Sequence, residues 1–369
     1  MKTSKILKQV TYHALLVCAI ILGVRLLAYG MFETDWHDFD VFYNSARAAL
    51  EGKSIYIITG KYNLPFWYLP WAAWFYIPFA VLPLEIARTI YKGISVLAAI
   101  LIINSLTRYY NPNFKFQDKI LIFALLVPMT LQLMIVGQMD YILLGLIVII
   151  MYAVEQKKDI LVGVLLPLLW IKPHLVIVFT LCVFWLAGKR TILISFALSA
   201  FMLLIQTIIS PGWISEMLAL LQGGTQRTTS VGFTTFPNLL GSQENWVGTA
   251  NLPFTILLVI LAILIVWKFR SLPTVPLLSL ALTASLFCAP RSHAYDLTLL
   301  IPGMIWLTAK NFKSTYWIWI AGALIPVLTV YLPPAYLLTL FVFILSVQKA
   351  YHSLHPPNSP EMTEANVPS

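Results

Sequence analysis

Acidic side chains are scarce in this chain, and five of the fifteen crowd into one stretch, Glu33-Thr-Asp35-Trp-His37-Asp38-Phe-Asp40 through to Glu51-Gly52. A carboxylate near its ordinary pKa can take a proton from a hydroxyl as that oxygen attacks an electrophile. Asp38 and Asp40 would point apart in a helix, where side chains meet at three or four residues. In an extended lead-in they would face the same way. The competing account is a solvated loop whose acids cap the helix that follows, and it is the better account of Asp35, Asp40 and Glu51. His37 reads as a bystander.

Three further polar clusters interrupt apolar sequence. Gly137-Gln138-Met139-Asp140 stands between two apolar runs. Its amide and carboxylate suit sugar hydroxyls, although capping of the next helix explains Asp140 equally well. Lys172-Pro173-His174 breaks an apolar run. A lysine there is expensive unless it is paired, meets an anion such as a phosphate, or snorkels to water. Arg291-Ser292-His293-Ala294-Tyr295-Asp296 packs three ionisable groups and a tyrosine into six residues. Arg291 could grip a phosphate, while His293 or Asp296 could orient a hydroxyl or pair with Arg291. Downstream of the acids, Tyr56, Tyr62, Trp67, Tyr68, Trp71, Trp74 and Tyr76 form an aromatic belt. It reads either as anchorage at a membrane interface or as a platform for sugar faces or a prenyl chain.

The elements that must position these groups are membrane helices. Of 369 residues, 59% are hydrophobic and 11% charged, against roughly 25% charged in a soluble domain, and mean hydropathy is +0.82. The apolar runs predict an all-α polytopic membrane protein, with one transmembrane domain over residues 1–350 and a cytoplasmic, disordered tail over 351–369. Spans of about 20 residues are expected near 10–30, 86–106, 119–136, 141–155, 160–171, 174–187, 191–210, 252–267, 272–288, 297–309, 315–331 and 335–350. Residues 160–187 could instead form one helix, but Pro173 argues for a break. The first span reads as a retained signal anchor.

Positive charge orients this set. With a cytoplasmic N-terminus, fifteen of the 24 basic residues fall in inner loops, and every inner loop carries at least one. Both termini are then cytoplasmic, provided that residues 66–83 lie at the interface or re-enter without crossing. All the polar clusters land outside, in the outer loops 31–85 and 211–251 or at helix junctions on the same face. Their convergence predicts one extracytoplasmic site at the plasma membrane, within a functional first outer loop.

The net charge of +9 has the same origin. No basic patch has a folded nucleic-acid module behind it, so no nucleic-acid partner is expected. Cys18, Cys182 and Cys288 read as small buried hydrophobes. No His, Asp or Glu set has metal-ligand spacing, and phosphate-loop and dinucleotide fingerprints are absent. Neither metal nor cofactor is expected.

The stretch Asp38-Phe-Asp-Val-Phe-Tyr43-Asn-Ser-Ala-Arg-Ala-Ala-Leu-Glu-Gly52-Lys-Ser-Ile-Tyr56 resembles the Asp-Phe-x-Val-Tyr-Tyr…Ala-x-x-Leu-x-x-Gly…Tyr pattern of glycosyltransferase family 87. Trp67-Tyr68-Leu69-Pro70 through Pro78 to Pro83, Gly137-Gln138, Lys172-Pro173 and Pro290 to Pro302 resemble later landmarks in the same order. Leu69 interrupts the usual Tyr-Pro-Pro, and His293, Tyr295 and Asp296 stand where that family often carries a Trp and paired histidines. The resemblance implies a GT-C fold and a polyprenyl-phosphate sugar donor, with mannose the expected sugar. It implies transfer to a lipid or glycan acceptor among membrane lipids at the outer face, with inversion. It puts Asp38 in the catalytic position; among the polar residues read above, Asp40, His293 and Asp296 are the candidates for support. Lys172 and Arg291 would meet the donor phosphate. Tyr43, Tyr68, Gln138, Asp140, His174 and Tyr295 would contact substrate. A transporter or flippase of a lipid-linked or small polar substrate is the alternative, although no internal repeat supports it.

Overall fold

A computed structural model describes residues 2–32, 37–56, 58–59, 64–223, 251–290, 292–328 and 335–355. The described chain is almost entirely helical. Helix α1 (Lys2–Phe32) is followed by α2 (His37–Leu50), a two-residue pairing of β1 (Ile58–Thr59) with β2 (Leu64–Pro65), and the short helices α3 (Pro70–Phe75) and α4 (Ile77–Ala80). Next come α5 (Leu84–Tyr110), α6 (Phe116–Val136), α7 (Asp140–Glu155), α8 (Asp159–Leu169), α9 (Ile177–Ala187), α10 (Lys189–Ile209) and α11 (Trp213–Gly223). The chain continues through α12 (Asn251–Lys268), α13 (Thr274–Cys288), α14 (Ile301–Thr308), α15 (Phe312–Thr315), α16 (Trp317–Leu328) and α17 (Ala335–Leu354).

Each of the twelve apolar stretches contains a helix among the described residues. Among the described residues, four segments are long and apolar enough to cross a membrane: Gln9–Gly30, Leu84–Tyr110, Lys189–Ile209 and Leu337–Leu354. The segments Asp159–Leu169, Ile177–Ala187, Pro253–Lys268, Thr274–Cys288 and Tyr295–Thr308 are apolar but shorter. Helix α17 runs through Leu354, past the expected start of the tail at 351. Most of the expected outer loop 211–251 lies outside the described residues, but it opens with the helix α11.

Helix α13 is the centre of the bundle. It is buried from Val275 to Cys288, as a helix apolar on all sides must be. Helices α7, α9, α12, α14 and α17 pack around it. Its hydroxyls are satisfied within the protein: Ser285 Oγ donates to the Ala281 carbonyl and accepts from the Phe179 N–H at 2.8 Å. Helices α8 and α10 approach closely at Gly163, where a Cβ would stand 2.7 Å from Ile194 Cβ. Small residues permit such backbone approach between membrane helices.

A second, aromatic core lies in the segment between α1 and α5. In α2 the residues Phe39, Phe42, Tyr43 and Ala46 recur at helical spacing and are buried. Gly52 ends the turn after the helix at φ +66°, the left-handed cap that glycine adopts without strain. The prolines Pro70 and Pro78 break residues 66–83 into α3 and α4, which pack across α2. The aromatic belt is therefore not mainly interfacial anchorage. Phe66, Trp71 and Tyr76 are buried within the protein, and Phe42 stacks on Tyr76 at 4.6 Å and 7°. Trp67, 44% exposed, is the exception among the described members. Tyr62 lies outside the described residues.

Candidate active site

The acidic stretch divides at the first turn of α2. Asp38 and Asp40 both belong to that turn, so the extended lead-in that would have aligned them does not occur. Two residues correspond to about 200° of helix, and the two carboxylates go to different partners. Asp40 receives the Arg88 guanidinium through Nη2 at 2.6 Å and Nε at 3.1 Å. The side chains of this pair are 17% and 13% exposed, and Arg88 also reaches Glu85 at 2.6 Å. Asp40 thus ties α2 to α5. Glu51 pairs with Lys53 at 2.7 Å, and that hydrogen bond holds its carboxyl below the usual range. Asp35 lies outside the described residues, as does the His37 side chain.

Asp38 is half-buried and accepts a hydrogen bond of 2.5 Å from Gln138 Nε2. Gln138 follows Gly137, the left-handed residue that ends α6 at φ +80°. The Gly137 and Gln138 N–H groups both donate to the Leu133 carbonyl, at 2.8 and 3.1 Å. The turn aims the Gln138 carboxamide at α2. Gln138 is 2% exposed, and its Oε1 accepts no hydrogen bond from a described residue. An unsatisfied buried acceptor costs about 1–3 kcal/mol. Rotating the amide would place this oxygen against a carboxylate instead, so Asp38 dictates the orientation.

Two residues on, Asp140 opens α7 with its carboxylate fully buried. It does not cap the helix. Lys172 donates to both its oxygens, at 2.9 and 3.0 Å, and to Asp296 Oδ1 at 2.9 Å. An ammonium has three N–H donors, and all three are committed to carboxylate oxygens. A phosphate at Lys172 would have to displace one of them. Lys172 stands where α8 has ended at Leu169 and a single 3-10 turn, Pro173–Leu175, precedes α9. The expected break is present, and it brings the lysine into the interior at 4% exposure. His174, half-buried, lies in that turn.

Asp296 sits near the start of the 3-10 segment Ala294–Leu300, and its Oδ2 accepts from the His293 N–H at 2.7 Å. Its carboxylate is therefore taken up by Lys172 and by backbone. Arg291 lies outside the described residues. The Tyr295 ring faces Lys172 Nζ, 5.0 Å from its centroid, and His293 stacks on it at 5.1 Å. Tyr68 lies beside the Gln138 carboxamide, where the charges of Asp38, Asp140 and Lys172 all reach it. Burial pushes its phenol up to about 12, so it remains a neutral hydroxyl. The Asp38 charge also reaches Tyr295. Tyr43 points away, donating to the Leu82 carbonyl at 2.7 Å, which makes it part of the α2 packing.

The structure thus gathers Asp38, Tyr68, Gln138, Asp140, Lys172, Tyr295 and Asp296 from five separate segments. Asp40 and Tyr43 are directed elsewhere. Sequence reading missed the Arg88–Asp40 tie and the Tyr76–Tyr91 hydroxyl pair at 2.9 Å, which lies within reach of the Asp140 charge. An arginine and a lysine near the start of one apolar run, Arg88 and Lys92, were the available signal. Among the described residues no group of His, Cys, Asp and Glu could hold a metal ion. What the site offers is a carboxylate of fixed orientation beside neutral hydroxyls and a buried ionic cluster, which suits proton abstraction from a hydroxyl.

No curated protein and no solved structure matches the chain. A family model does match, over residues 66–290, a span that holds Tyr68, Gln138, Asp140, Lys172 and His174. Asp38 precedes that span, and His293, Tyr295 and Asp296 follow it. The match covers more than half of an apolar helical chain, which is therefore a membrane glycosyltransferase and belongs to glycosyltransferase family 87.

Proposed function

We propose that the protein transfers a sugar, with mannose as the first candidate, from a polyprenyl-phosphate carrier to a lipid or glycan acceptor at the outer face of the plasma membrane. The acceptor hydroxyl gives its proton to Asp38 as its oxygen attacks the anomeric carbon. The bond from that carbon to the phosphate oxygen breaks, polyprenyl phosphate leaves, and the configuration inverts. The observation that carries this reading is the Asp38 carboxylate, half-buried in the first turn of α2 and held by Gln138 at 2.5 Å. The distribution of basic residues supports cytoplasmic termini and an outer site, within a GT-C-like arrangement of about twelve spans. In this reading the prenyl chain stays in lipid, and Tyr68, Tyr295 and His174 contact the sugar.

The leaving group needs positive charge. With the Lys172 donors occupied by Asp140 and Asp296, we assign the donor phosphate to Arg291, with Lys172 as the counter-ion of the buried Asp140 and Asp296 carboxyls.

The test is incubation of the purified protein, reconstituted in vesicles, with labelled polyprenyl-phosphate mannose and a membrane lipid extract. Label should appear in a new lipid or glycan, with polyprenyl phosphate released in equal amount. Label that only crosses the bilayer, still on its carrier, would instead establish the flippase alternative.

A further inference from the structure

We infer that Gln138 acts on Asp38 rather than on the sugar: it is a positioning residue that holds the carboxylate in its reactive orientation. The inference rests on the reading of Asp38 as the base. Three observations carry it.

The first is the backbone. Gly137 at φ +80° and the two hydrogen bonds to the Leu133 carbonyl fix Gln138 from the α6 side. Asp140, two residues on, is fixed from the α7 side by Lys172, which is itself tied to Asp296. Gln138 is thus clamped between a helix end and a buried ionic cluster drawn from two further segments of the chain. The second is the side chain. It is 2% exposed, and its Nε2 donates to Asp38 Oδ2 at 2.5 Å. The third is the other half of the amide. Oε1 is buried and accepts nothing from a described residue. A glutamine serving only its own packing would turn to satisfy both ends, whereas this one is held in the orientation that serves the carboxylate.

A donor on one oxygen stabilises the ionised carboxylate and sets the plane in which it meets a hydroxyl. The Asp38 charge reaches Tyr68, from the segment before α3, and Tyr295, from the 3-10 segment; Asp140, Lys172, Asp296 and His293 are the charged and titratable groups of the adjoining cluster. The two tyrosines are phenols that do not titrate near neutrality, so neither supplies the acidic limb of the pH–rate profile; the limb belongs to Asp38 if it moves with the Gln138 substitutions.

The experiment uses the full chain in vesicles, with polyprenyl-phosphate mannose and a lipid extract as probes, and compares Gln138→Ala, Gln138→Glu and Asp38→Asn with the parent. In Gln138→Ala, kcat should fall about tenfold to a hundredfold, the KM for each substrate should stay within about twofold, and the acidic limb should move to higher pH because the donor is lost. Gln138→Glu keeps the shape and guards against failure to fold. It sets two carboxyls to share one proton, so the acidic limb should rise by roughly one pH unit or more. A raised KM with an unmoved acidic limb in both variants would overturn the inference and return Gln138 to the substrate. Substantial turnover by Asp38→Asn would sink the base reading itself, a distinct failure.

Discussion

The Lys172 ammonium lies 2.9 Å from Asp296, a residue 124 positions further along the chain, and shares its remaining donors with the buried carboxylate of Asp140. One positive and two negative groups thus join the α6–α7 junction, the α8–α9 break and the segment before α14. Burying charge is expensive, and removing one partner of such a set is worse, because the others are left unpaired.

Replacing that lysine should therefore be costly to the fold. Lys172→Met strands two buried carboxylates and is expected to destabilise the protein by about 3–5 kcal/mol. Denaturant unfolding in detergent would measure it. Adding Asp140→Asn to the Lys172→Met protein removes one stranded charge, so the two substitutions should be strongly non-additive in a double-mutant cycle. Simple additivity would mean that the three groups do not act as one unit.

Asp38 and Asp40 should separate cleanly by phenotype. Asp38→Asn preserves shape and is expected to lower transfer by about 10²–10⁴-fold with an unchanged unfolding transition. Asp40→Asn breaks the Arg88 tie and should lower stability by about 1–2 kcal/mol, above an exposed pair but below a fully buried one. Turnover per folded molecule should survive it. A catalytic collapse in Asp40→Asn at full stability would reverse the two assignments.

Tyr68 should act as a neutral hydroxyl at every working pH. Its phenol is pushed up to about 12, chiefly by burial and further by the Asp38 charge. A raised phenol pKa favours the protonated form, and pH 6–9 lies wholly below it. Tyr68→Phe should therefore reduce transfer by the same factor at pH 6 and at pH 9. A ratio that changes across this window would show that the hydroxyl titrates during turnover.

Far from the site, Gly163→Ala tests the bundle alone. The added Cβ would stand 2.7 Å from Ile194 Cβ and 3.1 Å from the Thr191 carbonyl oxygen. Such overpacking costs about 1–3 kcal/mol, so the thermal transition should fall while turnover of the folded fraction holds. An unchanged transition would mean that α8 and α10 separate without penalty.

Much of the helical framework was legible before any coordinates, since about 20 apolar residues leave few alternatives to a membrane helix. The break at Lys172-Pro173-His174 was legible too, because proline is poorly tolerated inside a helix. Of the readings open to the aromatic residues downstream of the acids, interfacial anchorage does not describe Trp71 and Tyr76, which are buried within the protein. Aromatic rings suit an interface and a protein core equally well. Which one they take depends on whether a partner such as α2 covers them, and composition carries no record of that.

The sequence by itself determined the membrane class, the clustering of polar residues at helix ends, and a family whose motifs run through the chain in order. Those properties depend on local composition and spacing. Tertiary structure alone decided which polar groups meet: Asp38 with Gln138 across 100 residues, Lys172 with Asp140 and Asp296, and Asp40 with Arg88. Each of these groups had several chemically adequate partners in the sequence. Only the packing of the helices brings one of them within hydrogen-bond distance, and in a low-dielectric interior that distance separates a stable ion pair from a stranded charge.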